Sequence, residues 1–145
     1  MENKNPIWFG TIDLQDIIAL NAGTLSATLG IQFTELGPDY LVATMPVDQR
    51  TKQPFGLLHG GASVALAETL GSVASWCLVN RELFIGVGME INANHLRPVT
   101  SGFVTGICAP LRKEGKVHVW EIKISDAEGN LSCISRFTCM VIPRR

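Results

Sequence analysis

One long apolar segment, residues 60–80, constrains the fold of this 145-residue chain more than any other feature. Between Ala62 and Val79 it holds a single charged side chain, Glu68, among glycines and serines. A bilayer tolerates such a carboxylate poorly, so a buried helix fits the segment better than a membrane span. Because a helix that is apolar on nearly all sides must be covered, we expect the rest of the chain to wrap around it.

The segments on either side of this helix have the patterns of antiparallel β-structure. Near the N-terminus, Thr11 is a candidate N-cap for a short helix, and a second helical turn is expected at 24–29. The strand candidates are separated by turns and loops, and they lie at 31–36, 40–47, 84–96, 103–111, 117–124 and 131–142. These elements predict one α+β domain over residues 1–145, with an antiparallel sheet around one long helix.

The composition argues against several classes of protein. Lys and Arg number 12 against 13 Asp and Glu, the net charge is −1, and no basic run is present, which excludes a typical nucleic-acid binder. The four cysteines form no C-x-x-C pair and have no ligand spacing with the three histidines, so we expect no metal site. The N-terminus lacks the basic start and apolar stretch of a signal peptide. We therefore expect a cytoplasmic protein that needs no membrane and no cofactor.

Glu68 is the first candidate for chemistry. On a helical wheel it points from a stripe of mostly small residues, whereas Leu66 and Leu70 lie on the opposite side. The stripe consists of Gly61, Val64, Ala65, Gly71, Ser72 and Ser75. Two readings remain open: a carboxylate that is hydrogen-bonded at a subunit interface, or a general base or nucleophile.

The start of the same helix is the second candidate. His59, Gly60 and Gly61 lie where backbone N–H groups are free and the helix dipole favours negative charge. Glycines there let a ligand approach the backbone closely, which suits a developing oxyanion on a carbonyl carbon. The alternative is an ordinary glycine-rich helix start.

The spacing between these two candidates adds a constraint. Gly60 and Glu68 are eight residues apart, which is about 12 Å along a helix at roughly 1.5 Å per residue. Two groups that act on one carbonyl must both lie within about 3 Å of it. If both act, two antiparallel copies of the helix must lie side by side, so the chemistry requires a dimer.

Three motifs resemble the hotdog-fold acyl-CoA thioesterases. They are MPVDQRTKQPFGLLHGGASVALAE (residues 45–68), EINANHLR (residues 90–97) and VWEI (residues 119–122). The likeness extends over roughly residues 7–142. Within the family, the chain is most similar to the hydrolases of 1,4-dihydroxy-2-naphthoyl-CoA and to the proofreading thioesterases of enterobactin synthesis.

The resemblance implies roles for individual residues. Glu68 would be the nucleophile or the base that activates water, and the Gly60 N–H of a partner subunit would polarise the thioester carbonyl. His59 and Gln53 would orient the thioester and its leaving group. The family fold also implies dimers with a shared sheet, which commonly double to tetramers.

The resemblance further implies contacts for CoA, because the corresponding segments of the family line the nucleotide and pantetheine path. Apart from the resemblance, Ser72 on the long helix is a candidate for shaping the acyl pocket. The binding candidates are Gly88, His95, Arg97, Arg112, Lys113, Lys116 and Ser72.

The expected reaction is hydrolysis of an acyl-CoA with an aromatic or bulky acyl group, such as 1,4-dihydroxy-2-naphthoyl-CoA. One alternative is a proofreading hydrolase that removes wrong acyl groups from an acyl or aryl carrier protein. A hotdog acyl-thioester dehydratase is disfavoured because no His/acid pair suits it. A non-catalytic acyl-CoA sensor would not need Glu68.

Overall fold

The computed structural model describes residues 5–145 as six strands and three helices. Every strand and the long helix lie where the sequence pattern predicts them, with boundaries that differ by at most two residues. The elements are α1 (Leu14–Leu20), α2 (Leu25–Thr28), β1 (Gln32–Leu36), β2 (Leu41–Pro46), α3 (Gly60–Leu78), β3 (Phe84–His95), β4 (Phe103–Arg112), β5 (Val117–Ser125) and β6 (Leu131–Pro143).

The predicted N-cap of α1 is wrong. The cap is Asp13, whose side chain accepts a hydrogen bond from the Asp16 N–H at 3.0 Å, while the Asp16 carboxylate accepts one from the Asp13 N–H at 3.0 Å. Such a reciprocal capping box satisfies two backbone donors at once, so it wins over the single hydroxyl of Thr11.

The strands form one antiparallel sheet in the order β1-β2-β4-β5-β6-β3. The sheet curls around α3, which contacts every strand from β2 to β6. This arrangement confirms the predicted architecture of a sheet around one helix. It leaves β1 and β3 as the two edges of the sheet.

The sheet covers more of α3 than the helical wheel indicated. Gly71 lies against β6, where an added Cβ would be 2.3 Å from the Phe137 ring. Ser75 is fully buried, and its Oγ accepts a hydrogen bond of 2.8 Å from the Trp120 indole N–H. These two small residues therefore face the sheet and do not share the open side of the helix with Glu68, which is exposed.

The edge strand β3 is unusually open. It is 12 residues long, most of its residues are exposed, and β6 is its only strand partner within the described chain. Apolar side chains are exposed along it, including Phe84, Ile85, Val87 and Met89. A long apolar edge with free backbone N–H and C=O groups is a template for pairing with another strand.

Three further observations concern the sequence-based exclusions. Across residues 5–145, no helix combines the length and apolar character needed to cross a membrane. The same residues contain no cluster of three side chains that could ligate a metal ion. All four cysteines are buried free thiols, and burial raises the pKa of the Cys77 thiol to about 12.

Candidate active site

The N-terminus of α3 leaves one backbone donor free. The carbonyl of the N-cap His59 accepts from the N–H groups of Ala62 and Ser63, and its ring Nδ1 accepts from the Gly61 N–H at 2.8 Å. Among residues 5–145, the Gly60 N–H donates a hydrogen bond to no acceptor. Of the first donors of the helix, Gly60 is thus the one available to a ligand.

The same cap determines the tautomer of His59. Because Nδ1 accepts a hydrogen bond from the backbone, the neutral ring carries its proton on Nε2. The side chain is exposed, so this Nε2–H can donate to a ligand beside the helix end. His59 therefore offers a second donor next to the Gly60 N–H.

A cavity of about 360 Å³ lies in front of this helix end. It brings together four predicted site residues, namely Gln53, Gly60, His95 and Arg97. The His95 ring lies directly over Gly60, since a Cβ on Gly60 would be 2.9 Å from the His95 Nε2. A glycine at this position is thus what allows the imidazole to approach the helix end.

The loop before α3 orients Gln53. The side-chain Oε1 of Gln53 accepts from the Phe55 N–H, and its backbone N–H donates to Leu57 at 2.8 Å. With its oxygen engaged, the side-chain NH₂ group of Gln53 is the part left to donate into the cavity. Phe55 at the tip of this loop is 89% exposed, which the sequence did not indicate as a functional feature.

The Glu68 carboxylate lies against the edge strand β3. A Cβ on Gly88 would be 2.8 Å from Glu68 Oε1, so Gly88 is the residue over which the carboxylate packs. A β-bulge between Gly88 and Glu90 places Met89 as an extra residue at this point of the strand. Two predicted site residues, Glu68 and Gly88, are therefore in contact range.

A second cavity, of about 270 Å³, opens beside Glu68 and is lined by Ser72 one helical turn further on. Sequence reasoning missed the side of this cavity that faces α3. That side comes from the α1–α2 segment and β1, with Leu20, Asn21, Thr24, Ser26 and Phe33. The sequence pattern predicts a helical turn at Thr24, but nothing in that pattern indicates that the turn packs near Glu68.

The two cavities are separate within one protomer. One contains Gly60 with Gln53 and His95, and the other contains Glu68 with Ser72. Gly60 and Glu68 are eight residues apart in one continuous helix, so the separation of about 12 Å at roughly 1.5 Å per residue stands. A single protomer does not bring the two groups to one carbonyl.

The remaining basic candidates lie far from this helix end. Arg112, Lys113 and Lys116 surround the turn between β4 and β5, whereas His95 and Arg97 are at the opposite end of the sheet. Along β6, His95 is opposite Cys133 and Val117 is opposite Met140. Seven residues of strand correspond to about 23 Å at roughly 3.3 Å per residue. Within one protomer the two basic groups therefore do not meet.

Comparison with known proteins decides the family. Residues 55–133, which carry the helix start, Glu68, the edge strand and His95, match the model of the thioesterase superfamily. The chain belongs to this superfamily. The protein is a thioester hydrolase with the hotdog fold, as the resemblance predicted.

Similarity to individual members extends over nearly the whole chain. The chain is 49% identical to the 1,4-dihydroxy-2-naphthoyl-CoA hydrolase of Escherichia coli K12, over 94% of this chain and 99% of that protein. It is 51% identical to the proofreading thioesterase EntH of Cronobacter turicensis, over 94% of this chain and 98% of that protein. The crystal structure of a thioesterase from Haemophilus influenzae superimposes with a TM-score of 0.90 at 46% identity, and covers 94% of this chain and 95% of that one.

Proposed function

We propose that this thioesterase hydrolyses aromatic acyl-CoA thioesters, such as 1,4-dihydroxy-2-naphthoyl-CoA, to the free acid and CoA. The observation that carries the proposal is the cavity beside Glu68, which is open to a substrate and lined by both apolar and hydroxyl-bearing side chains. Leu20, Phe33 and Val73 supply apolar surface for a ring, and Ser26 and Thr69 hydroxyls lie 3.2 Å apart. Mixed pockets of this kind suit a ring that carries hydroxyl groups.

In this proposal Glu68 acts on the thioester carbonyl by one of two routes. It removes a proton from a water molecule that attacks the carbonyl carbon, or its own oxygen attacks and the resulting mixed anhydride is hydrolysed. In both routes the C–S bond breaks, the thiolate of CoA leaves and a proton is returned to it. The open cavity and the close approach of Glu68 to Gly88 support a carboxylate that faces the substrate.

The carbonyl oxygen becomes negative in the tetrahedral intermediate and needs a donor. The free Gly60 N–H at the positive end of α3 is suited to this task, with the exposed Nε2–H of His59 and the amide of Gln53 beside it. Because Gly60 and Glu68 of one protomer are too far apart, we assign the donor to a second protomer.

A dimer formed through β3 supplies that arrangement. Antiparallel pairing of two β3 edges satisfies the free backbone groups and covers the exposed apolar side chains. It also runs the two α3 helices in opposite directions, so that each Glu68 lies near the partner's helix start. We further propose that two such dimers associate as a homotetramer.

The same pairing brings the basic residues at the two ends of the sheet together, from different protomers. In an antiparallel dimer, the β4–β5 turn of one protomer lies at the end of the sheet where the other protomer has His95 and Arg97. We therefore propose that CoA phosphates contact Arg97 and His95 of one protomer and Arg112, Lys113 and Lys116 of the other. These side chains are exposed, as a phosphate site on the surface requires.

A second candidate function is proofreading of mis-acylated acyl or aryl carrier proteins. It is favoured by the 51% identity to the EntH proofreading thioesterase, whose name states that role. The phosphopantetheine arm of a carrier protein presents the same thioester as CoA. We place either reaction in the cytoplasm, a location that the four free cysteines support.

Thiol release from a panel of acyl thioesters tests the proposal. The panel contains aromatic acyl-CoAs, fatty acyl-CoAs and an aryl-loaded carrier protein, each with wild type, Glu68→Gln and Glu68→Asp. We expect aromatic thioesters to turn over fastest and Glu68→Gln to lose at least roughly a hundredfold in kcat. Glu82→Gln, which removes an exposed carboxylate beyond the end of α3, serves as the control. Release no faster than the blank, or unchanged kcat in Glu68→Gln, would contradict the proposal.

A further inference from the structure

A larger, open cavity adjoins the one beside Glu68. It has a volume of about 430 Å³ and is lined by residues of α1, α2, the loop after α2 and the edge strand β1. Its other lining residues are mainly apolar or small, namely Ile18, Ala22, Ala27, Gly30, Ile31 and Gln32. Two residues, Asn21 and Phe33, line both cavities. These two residues therefore lie where the two cavities adjoin, and we call them the wall.

Asn21 is held in place within this wall. Its side-chain NH₂ group donates to the backbone carbonyl of Ile31 at 2.7 Å, and its backbone N–H caps the end of α1 by donating to Ile18. The first bond holds the side chain against the residue that precedes β1 and the second fixes its backbone at the end of α1, so the side chain does not swing freely out of the way. Phe33, by contrast, is 5% exposed and belongs to the core. Asn21 is thus the part of the wall that a substitution can remove without opening the core.

We infer that Asn21 limits the length of the acyl group that the enzyme accepts. The inference rests on the proposed function in one respect, namely that the acyl group enters the cavity beside Glu68. That cavity has a volume of about 270 Å³. A ring system or a short chain ends within it, whereas a longer alkyl chain meets Asn21. The apolar lining of the larger cavity, of about 430 Å³, makes it a receptor for that chain once the wall is opened.

Two substitutions separate a steric wall from a structural hydrogen bond. Asn21→Ala removes both the volume of the side chain and its bond to Ile31, whereas Asn21→Leu removes the bond and keeps a side chain of similar size. Gln32→Ala is the matched control, because Gln32 is exposed and lines only the larger cavity. Each variant is assayed with straight-chain acyl-CoAs from butanoyl to tetradecanoyl, with kcat/KM measured for each length.

For wild type, Asn21→Leu and Gln32→Ala, we expect kcat/KM to fall beyond the same chain length. For Asn21→Ala, the chain length at which kcat/KM begins to fall increases. Each methylene that enters the larger cavity raises kcat/KM by up to about fourfold. An unchanged length profile in Asn21→Ala would overturn the inference. A profile that shifts equally in Asn21→Leu would also overturn it, because the hydrogen bond and not the wall would then be responsible.

Binding measurements keep this result distinct from failure of the proposed function. In a Glu68→Gln background, which should bind without turnover, calorimetry gives the Kd of each acyl-CoA with and without Asn21→Ala. Suppose that aromatic acyl-CoAs are not hydrolysed, but that Asn21→Ala still binds longer acyl chains more tightly than the protein with Asn21 does. The proposed reaction then fails and the inference holds. If affinity is independent of chain length in both proteins, the acyl group lies elsewhere and the inference is refuted.

Discussion

Replacing Gly60 with proline removes the one free backbone donor at the start of α3. Gly60 is the first residue of α3, a position where proline is tolerated because its fixed φ suits the helix and its missing N–H has no helical partner. The preceding His59 has φ −68° and ψ 132°, the extended conformation that a residue before proline prefers. The variant should therefore fold while it loses the donor that we assign to the oxyanion.

We expect a large loss of kcat in Gly60→Pro, and Gly60→Ala is the matched control. Removal of one oxyanion donor typically costs about 10²–10³ in kcat, or roughly 2.7–4 kcal/mol of transition-state stabilisation. A Cβ at this position would also press on the His95 ring, since the ring Nε2 would lie 2.9 Å away. Gly60→Ala introduces the same Cβ and keeps the N–H, so it reports the steric effect alone.

The assay is thiol release under saturating aromatic acyl-CoA, together with the melting temperature of each protein. We expect Gly60→Ala to retain much of the wild-type kcat and Gly60→Pro to lose at least about a hundredfold relative to it. Similar kcat values for two well-folded variants would refute the reasoning, because the Gly60 N–H would then not stabilise the intermediate.

Two further predictions concern the strand beside Glu68 and a buried histidine. Gly88→Ala should reduce kcat/KM, because its Cβ would lie 2.8 Å from Glu68 Oε1. In the control Gly86→Ala, the added Cβ meets Cys139 and should leave the Glu68 carboxylate in place. Equal losses of kcat/KM in the two variants, measured by steady-state kinetics, would contradict this prediction. Burial lowers the pKa of His118, against smaller opposing effects from Glu114 and the Gly115 backbone, so the unfolded chain binds more protons below about pH 6.5. The free energy of unfolding should therefore fall as the pH decreases through that value, by at most about 1.4 kcal/mol per pH unit. Urea unfolding of wild type and His118→Gln between pH 5 and 8 checks this, and a pH-independent difference between them would refute it.

The fold was accessible from the sequence because its signals are local. The apolar run of α3 and the many β-branched residues of β5 each indicate one element, and turns that contain a glycine separate most strands. The helical wheel failed at Gly71 and Ser75 because a wheel assumes a flat boundary between core and solvent. The sheet curls around α3, so both residues are covered by β5 and β6.

The candidate site was partly accessible for a related reason. The cap at His59 and the spacing from Gly60 to Glu68 follow from one helix, and the distance argument needs no tertiary information. The packing of Asn21 and Phe33 beside Glu68 depends on contacts between segments that are distant in the chain. No local pattern encodes such contacts.

The central claim is that each active site combines Glu68 of one protomer with Gly60 of another. Complementation tests it most directly: Glu68→Gln and Gly60→Pro proteins, each inactive, are unfolded together, refolded as a mixture and assayed for thiol release. A mixed dimer then contains one intact site, so random pairing should restore about a quarter of the wild-type activity per protomer. If both residues act within one protomer, no mixed dimer has an intact site, and a mixture as inactive as its components would contradict the account.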